Sequence, residues 1–172
     1  AVYFGAEEIN WGEGEEGALK AKMGLIVSIL LIQLIAIPGA YLISKISKIK
    51  GNLFALKTSV ILWILLCFCA FFVHEPFEFY CVAGFVGLVM GGSQSISRST
   101  YSKYIPHETN DTSSFFSFYD ISEKLGIVIG MFSFGFIHQL TGNMRNSVLA
   151  LITFFTAGLI LLYFVPKKEV EI

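Results

Sequence analysis

One stretch of this sequence carries acid and base in a setting hostile to both. Between Ser113 and Gln139 the chain is apolar enough to cross a bilayer, yet Ser117, Asp120, Glu123 and Lys124 sit well inside it. On a helix of about 100° per residue, Ser113, Ser117, Asp120, Glu123, Lys124 and Ile127 share one stripe roughly 120° wide. Asp120 and Lys124 are spaced i,i+4 with the acid N-terminal, the better order for pairing. Glu123 and Lys124 lie roughly 15–17 Å along such a helix, near the bilayer centre. A charge there costs several kcal/mol unless paired or hydrated, so the stripe is expected to face the protein interior. Two carboxylates share one ammonium, and a desolvated carboxylate without a partner can take up a proton near neutral pH. The trio reads either as a substrate or proton-coupling site or as a static pair that orients the helix, with the second acid partnered elsewhere.

Other polar residues carry weaker signals. Gln33 and Gln94 could line a polar pathway or tie helices together by hydrogen bonds. Arg98 lies where a span meets the aqueous phase and could anchor a headgroup or loop or bind a ligand. Trp11, Tyr101 and Tyr104 suit an interfacial belt. His74, His107 and His138 are too dispersed for a metal site, and Cys67, Cys69 and Cys81 lie in apolar segments without a C-x-x-C pair, so no metal, disulfide or cofactor is expected. Gly12-Glu13-Gly14-Glu15-Glu16-Gly17 satisfies G-x-G-x-x-G, but no strand precedes it and its glutamates would repel a pyrophosphate. No nucleophile–base set suggests an enzyme, and nothing suggests a nucleic-acid partner.

The elements that must position these residues are helices in lipid. The 172 residues are 55% hydrophobic and 15% charged, where a soluble domain is about a quarter charged. After a polar, acidic leader over 1–22, five apolar stretches follow at about 23–44, 53–73, 77–97, 113–139 and 147–165. Each approaches the ~20 residues a transmembrane helix needs, and in hydrocarbon only helices satisfy their own peptide groups. The predicted fold is all-α: a five-helix polytopic bundle over 23–172 with the lipid bilayer as its first partner. The second and fifth spans hold no charge beyond Lys57 and belong against lipid; the first, third and fourth are the polar ones. Ala83, Gly87 and Gly91 share a face of the third span, and Gly126 and Gly130 a face of the fourth, spacing that lets backbones pack closely.

Charge sets the orientation. Lys45, Lys48, Lys50, Lys57, Arg98, Lys103, Lys167 and Lys168 flank one side, against Lys20, Lys22 and Arg145 on the other. The positive-inside bias puts the C-terminus in the cytoplasm and the N-terminus outside, and makes the Asn110-Asp111-Thr112 sequon cytoplasmic. Five spans with ends on opposite sides fit a fragment, since one more helix before Ala1 would complete a six-helix half of the kind transporters use.

The blocks GLVMGGSQSISRSTYSKYIP (87–106), SSFFSFYDISEKLGIVIG (113–130) and FGFIHQLTGNMRNSVLAL (134–151) resemble the vacuole-effluxer-like branch of the major facilitator superfamily. The matching positions are Gly91, Gly92, Gln94, Ser97, Arg98 and Ser99, then Ile105-Pro106, then Phe115, Phe116, Tyr119, Asp120 and Lys124, then Gln139, Thr141, Gly142 and Arg145. Tyr3–Glu7 resembles the end of that family's seventh helix, which implies that the leader over 1–22 is the end of a preceding helix plus an extracytoplasmic loop. The resemblance implies helices eight to twelve of a twelve-helix fold, with the second and fifth spans outside the cavity. It also implies secondary active transport of a small solute by alternating access, with amino acids, which some eukaryotic relatives export from vacuoles, as the first candidate class, and a pathway shared with the missing N-terminal part of the same transporter. Asp120, Glu123, Lys124, Gln33, Gln94 and Tyr119 are the substrate or coupling candidates; Asp120, Lys124, Gln94 and Tyr119 fall on the family's motif positions, whereas Glu123 is not one of them and is either a local specialisation or a pair with the missing half. The superfamily signature between helices eight and nine survives only as Gly39…Ser44-Lys45…Gly51, and Ser44 departs from it at the acidic position that would lock the cytoplasmic gate; the gate candidates are the basic residues Arg98 and Lys45. The short loops fit a prokaryotic plasma membrane. The competing expectation is a non-transporting membrane subunit whose buried charges pair with a partner chain.

Overall fold

A computed structural model describes residues 2–106 and 111–166, with side chains from Phe4 onward. His107, Asn110 and Lys167–Lys168 lie outside them. All regular structure among the described residues is α-helical: α1 (Val2–Glu7), α2 (Gly14–Lys50), α3 (Asn52–Phe72), α4 (Pro76–Tyr104), α5 (Thr112–Thr141) and α6 (Met144–Phe164). Helices α2 to α6 are each long and apolar enough to cross a membrane.

The first membrane helix is longer than the apolar stretch within it. It begins at Gly14, so the second part of the acidic leader is helix rather than loop. Glu15, Glu16, Ala18, Leu19 and Lys20 are strong helix formers, the glutamates oppose the positive helix N-terminus, and Glu16 pairs with Lys20 at 2.7 Å. Turn chemistry sets the other ends. Gly51 (φ 88°) breaks α2 from α3. Pro76 opens α4, and the Glu78 carboxylate accepts the His74 amide at 3.0 Å. Asp111 caps α5 by accepting the Ser114 amide and hydroxyl at 3.2 and 2.7 Å, and these bonds, the hydroxyl's first, hold its carboxyl below the usual range. Gly142, left-handed at φ 63°, closes α5.

The spine of the bundle is α2 against α4. A Cβ on Gly39 would run into the backbone of Leu88, one on Gly87 into Ile32, and one on Gly91 into Ala36. Small residues are needed here because, without a hydrophobic driving force in lipid, van der Waals contact between backbones holds helices together. Pro38, inside α2, leaves one helical carbonyl without its amide partner just before this approach. Helix α3 packs on both α4 and α6, with Trp63 stacked on Phe155 at 5.5 Å and Lys57 over the Tyr163 ring at 4.0 Å. One apolar cluster, around Phe4, Cys67, Phe79, Met144 and Val148, closes one end; Ile43, Ala55 and Ile96 close the other.

Helix α5 is the exception. None of its residues is buried. Its last third (Ser133, Phe134, Ile137 and His138) is half-buried, with Phe134 against the Phe4–Phe79 cluster, while residues 121–129 are all exposed. Gly126 and Gly130 meet open space, so within this chain they form no packing face, in contrast to Gly87 and Gly91. Nothing opposite them comes near enough to use the room a missing side chain gives.

Candidate functional site

The polar site forms where the C-terminal half of α4 meets the N-terminal half of α5. On α4, Val89, Gly92, Ile96 and Thr100 are the buried positions, and Ile96 packs against Ile43 of α2 and Ala55 of α3. Helical periodicity then puts Gln94 and Arg98 on the other side, where with Ser95, Ser99, Ser102 and Phe116 they line an open recess of about 560 Å³. On α5, Phe116, Tyr119 and Asp120 follow at i, i+3 and i+4 and turn together toward α4.

Three polar contacts bridge the gap. Arg98 donates to the Asp120 carboxylate at 2.8 Å, the Tyr119 hydroxyl bonds Ser97 Oγ at 2.9 Å, and the Tyr101 hydroxyl donates to the Phe115 carbonyl at 3.0 Å. The Arg98 guanidinium also lies 5.7 and 5.8 Å from the Phe116 and Tyr119 ring centres, within cation–π reach. Asp120 and Arg98 are each about half exposed, so the pair adds little stability where water reaches it.

The expected Asp120–Lys124 pair is not formed. The single methylene of Asp120 keeps its carboxylate close to α5, and the long arginine fork reaches it from α4 first. Glu123 and Lys124 are exposed, and neither has an ion-pair partner among the described residues. The stripe predicted to face a protein interior therefore faces outward from these six helices. Gln33 is exposed on α2 without a hydrogen bond among the described residues, and Lys45 is exposed near the C-terminal end of the same helix. The structure thus brings Gln94, Arg98, Tyr119 and Asp120 together and leaves Gln33, Lys45, Glu123 and Lys124 outside that group.

A second charged centre, at the opposite end, is one that sequence reasoning missed. Arg145 is 12% exposed and Glu8 18%, with Nε 2.8 Å from the carboxylate. The same guanidinium donates to the carbonyls of Phe71 at 2.5 Å and Val73 at 2.8 Å, and the Glu8 carboxylate accepts the Met144 amide at 3.1 Å. The carbonyls at a helix C-terminus have no partner within the helix and carry its partial negative charge, so a cation there is doubly favoured. Arg145 ties the chain just after α1 to the end of α3 and the start of α6. Its presence in the Q-x-T-G-x-x-R block was the available signal. Beside it, His138 lies 3.6 Å from Glu7. Trp11 and Tyr104 are held in tertiary contacts as well: the Trp11 indole donates to Gly5 at 2.7 Å and the Tyr104 hydroxyl to Pro166 at 2.6 Å.

Comparison with known proteins places this arrangement. The model of the vacuole effluxer Atg22-like family matches residues 1–170. The "Uncharacterized MFS-type transporter YxiO" of Bacillus subtilis (strain 168) is 28% identical over 144 residues, 84% of this chain and 33% of that protein. Autophagy-related protein 22 of Eremothecium gossypii is 37% identical over 87 residues, 51% of this chain and 17% of that protein. Autophagy-related protein 22 of Cryptococcus neoformans var. neoformans serotype D (strain B-3501A) is 40% identical over 77 residues, 44% and 13% of the two chains. The chain thus spans about a third or less of the length of these relatives, and no solved structure matches it significantly. With a family match over nearly its whole length and five helices fit to cross a bilayer, the chain is an integral membrane protein that belongs to the vacuole effluxer Atg22-like family.

Proposed function

We propose that the chain forms helices eight to twelve of a twelve-helix secondary active transporter, with the end of helix seven as α1, moving a small solute by alternating access. Amino acids are the first solute class to test. The observation that carries this reading is α5: an apolar helix with no buried residue that bears Asp120, Glu123 and Lys124, the last two without an ion-pair partner among the described residues. Charges near the bilayer centre persist where water or opposite charge reaches them. A pathway shared with the N-terminal part of the same transporter supplies both. The apolar helices α3 and α6 pack on each other, away from that face. The excess of lysine and arginine at the α2–α3 and α4–α5 ends supports a cytoplasmic C-terminus, and the short connections support a prokaryotic plasma membrane.

Uptake of labelled amino acids by proteoliposomes holding the full-length protein tests the proposal. Saturable uptake or counterflow supports it. Folded protein that moves no amino acid or other small solute points instead to a membrane subunit whose charges pair with a partner chain.

A further inference from the structure

Among the described residues, helix α5 is held at its two ends by different kinds of contact and is exposed in between. At its N-terminal third the ties to α4 are polar and half-exposed: Arg98–Asp120 at 2.8 Å, Tyr119–Ser97 at 2.9 Å and Tyr101–Phe115 at 3.0 Å. At its C-terminal third Phe134 packs on the Phe4–Phe79 cluster and His138 lies 3.6 Å from Glu7, at the same end of the bundle as the Arg145–Glu8 clamp. Residues 121–129 between them are all exposed. Gly126 and Gly130 sit in or beside that stretch with open space where a Cβ would be, so packing within this chain is not what calls for glycine there. Interior glycines weaken a helix by roughly 0.5–1 kcal/mol each relative to alanine. Packed cores resist small displacements, whereas exchangeable polar contacts open and reclose.

We infer that α5 pivots about its C-terminal third, and that Arg98–Asp120 with Tyr119–Ser97 is the latch that holds its N-terminal end on α4. Opening the latch widens the recess between Gln94, Arg98, Ser102 and Phe116 while the Arg145 end stays in place. The motion rests on the reading that the exposed middle of α5 faces a pathway shared with the N-terminal part of the transporter, and it stands whether or not amino acids are the transported solute.

Spin labels on the full-length protein, with Cys67, Cys69 and Cys81 replaced, test it by pairwise distance measurement. One pair, Lys48 with Ser113, reports the latch end; the other, Met23 with Leu140, reports the pivot end. In Asp120→Asn, and more so with Ser97→Ala added, a second, longer population is expected for the latch pair while the pivot pair keeps the parent distribution. The exchange Arg98→Asp with Asp120→Arg should return the latch pair toward the parent distribution. A latch pair unchanged in Asp120→Asn/Ser97→Ala overturns the latch, and a pivot pair that broadens as much as the latch pair overturns the pivot.

Discussion

Arg145 and Glu8 form the most enclosed ion pair among the described residues, 2.8 Å apart at the end of the bundle away from the α4–α5 recess. The pair joins residues far apart in sequence and leaves few of the guanidinium's donors without an acceptor. It is therefore a structural knot, whereas the half-exposed Arg98–Asp120 pair can exchange its partners for water.

Removing one side of an enclosed pair strands the other. Arg145→Met should destabilise the protein by roughly 3–5 kcal/mol, and Glu8→Gln by somewhat less because an amide still accepts a hydrogen bond. Arg145→Lys should rescue only in part, since an ammonium cannot reproduce the planar fork that serves Glu8, Phe71 and Val73 together. Glu7→Gln, at a half-exposed position, should change little. Thermal unfolding in detergent reads all four. A melting temperature for Arg145→Met equal to the parent's would remove the knot from the account.

The glycines separate packing from lining. Gly91→Val forces a branched side chain into the Ala36 backbone and should destabilise by roughly 1–3 kcal/mol, seen as a lowered melting temperature. Gly126→Ala meets open space and should be neutral or stabilising by up to about 1 kcal/mol. A loss at Gly126 as large as that at Gly91 would mean that another helix packs tightly on α5, against a water-lined face.

The proposed orientation rests on the lysine and arginine bias and is read by labelling. In a protein without its native cysteines, Lys48→Cys should react with a membrane-impermeant maleimide only after the cells are opened, and Glu15→Cys in intact cells. Reaction of Lys48→Cys from outside would invert the topology.

Much of this arrangement was legible in the residues. The apolar stretches and their turn residues mark five helices, because length and hydropathy alone decide what can cross hydrocarbon. The Gly87–Gly91 spacing likewise marks the face of α4 that meets α2. What the sequence concealed is partner choice across elements. The i,i+4 rule offers Lys124 to Asp120, but it ranks only neighbours on one helix, and Arg98 on the adjacent helix reaches the short carboxylate instead. Arg145 figured among the motif positions, yet nothing local names Glu8 or the carbonyls of Phe71 and Val73 as its acceptors, since they converge only once α1, α3 and α6 have packed. The helical second part of the leader was masked by its acidity, which excludes it from the membrane without excluding it from a helix.

The most direct test of the account is pH-driven accumulation of solute by proteoliposomes carrying the full-length protein and its Glu123→Gln variant. Glu123 lies at mid-length on the exposed face of α5 with no ion-pair partner among the described residues, so the amide keeps its shape and removes only its charge. We predict that Glu123→Gln folds, still exchanges solute across the membrane, and loses accumulation driven by a proton gradient, while Lys124→Ala loses transport at comparable expression. Accumulation by Glu123→Gln equal to the parent's from about pH 5 to 8, with Lys124→Ala likewise active, would contradict a transport role for the α5 charges and make them structural.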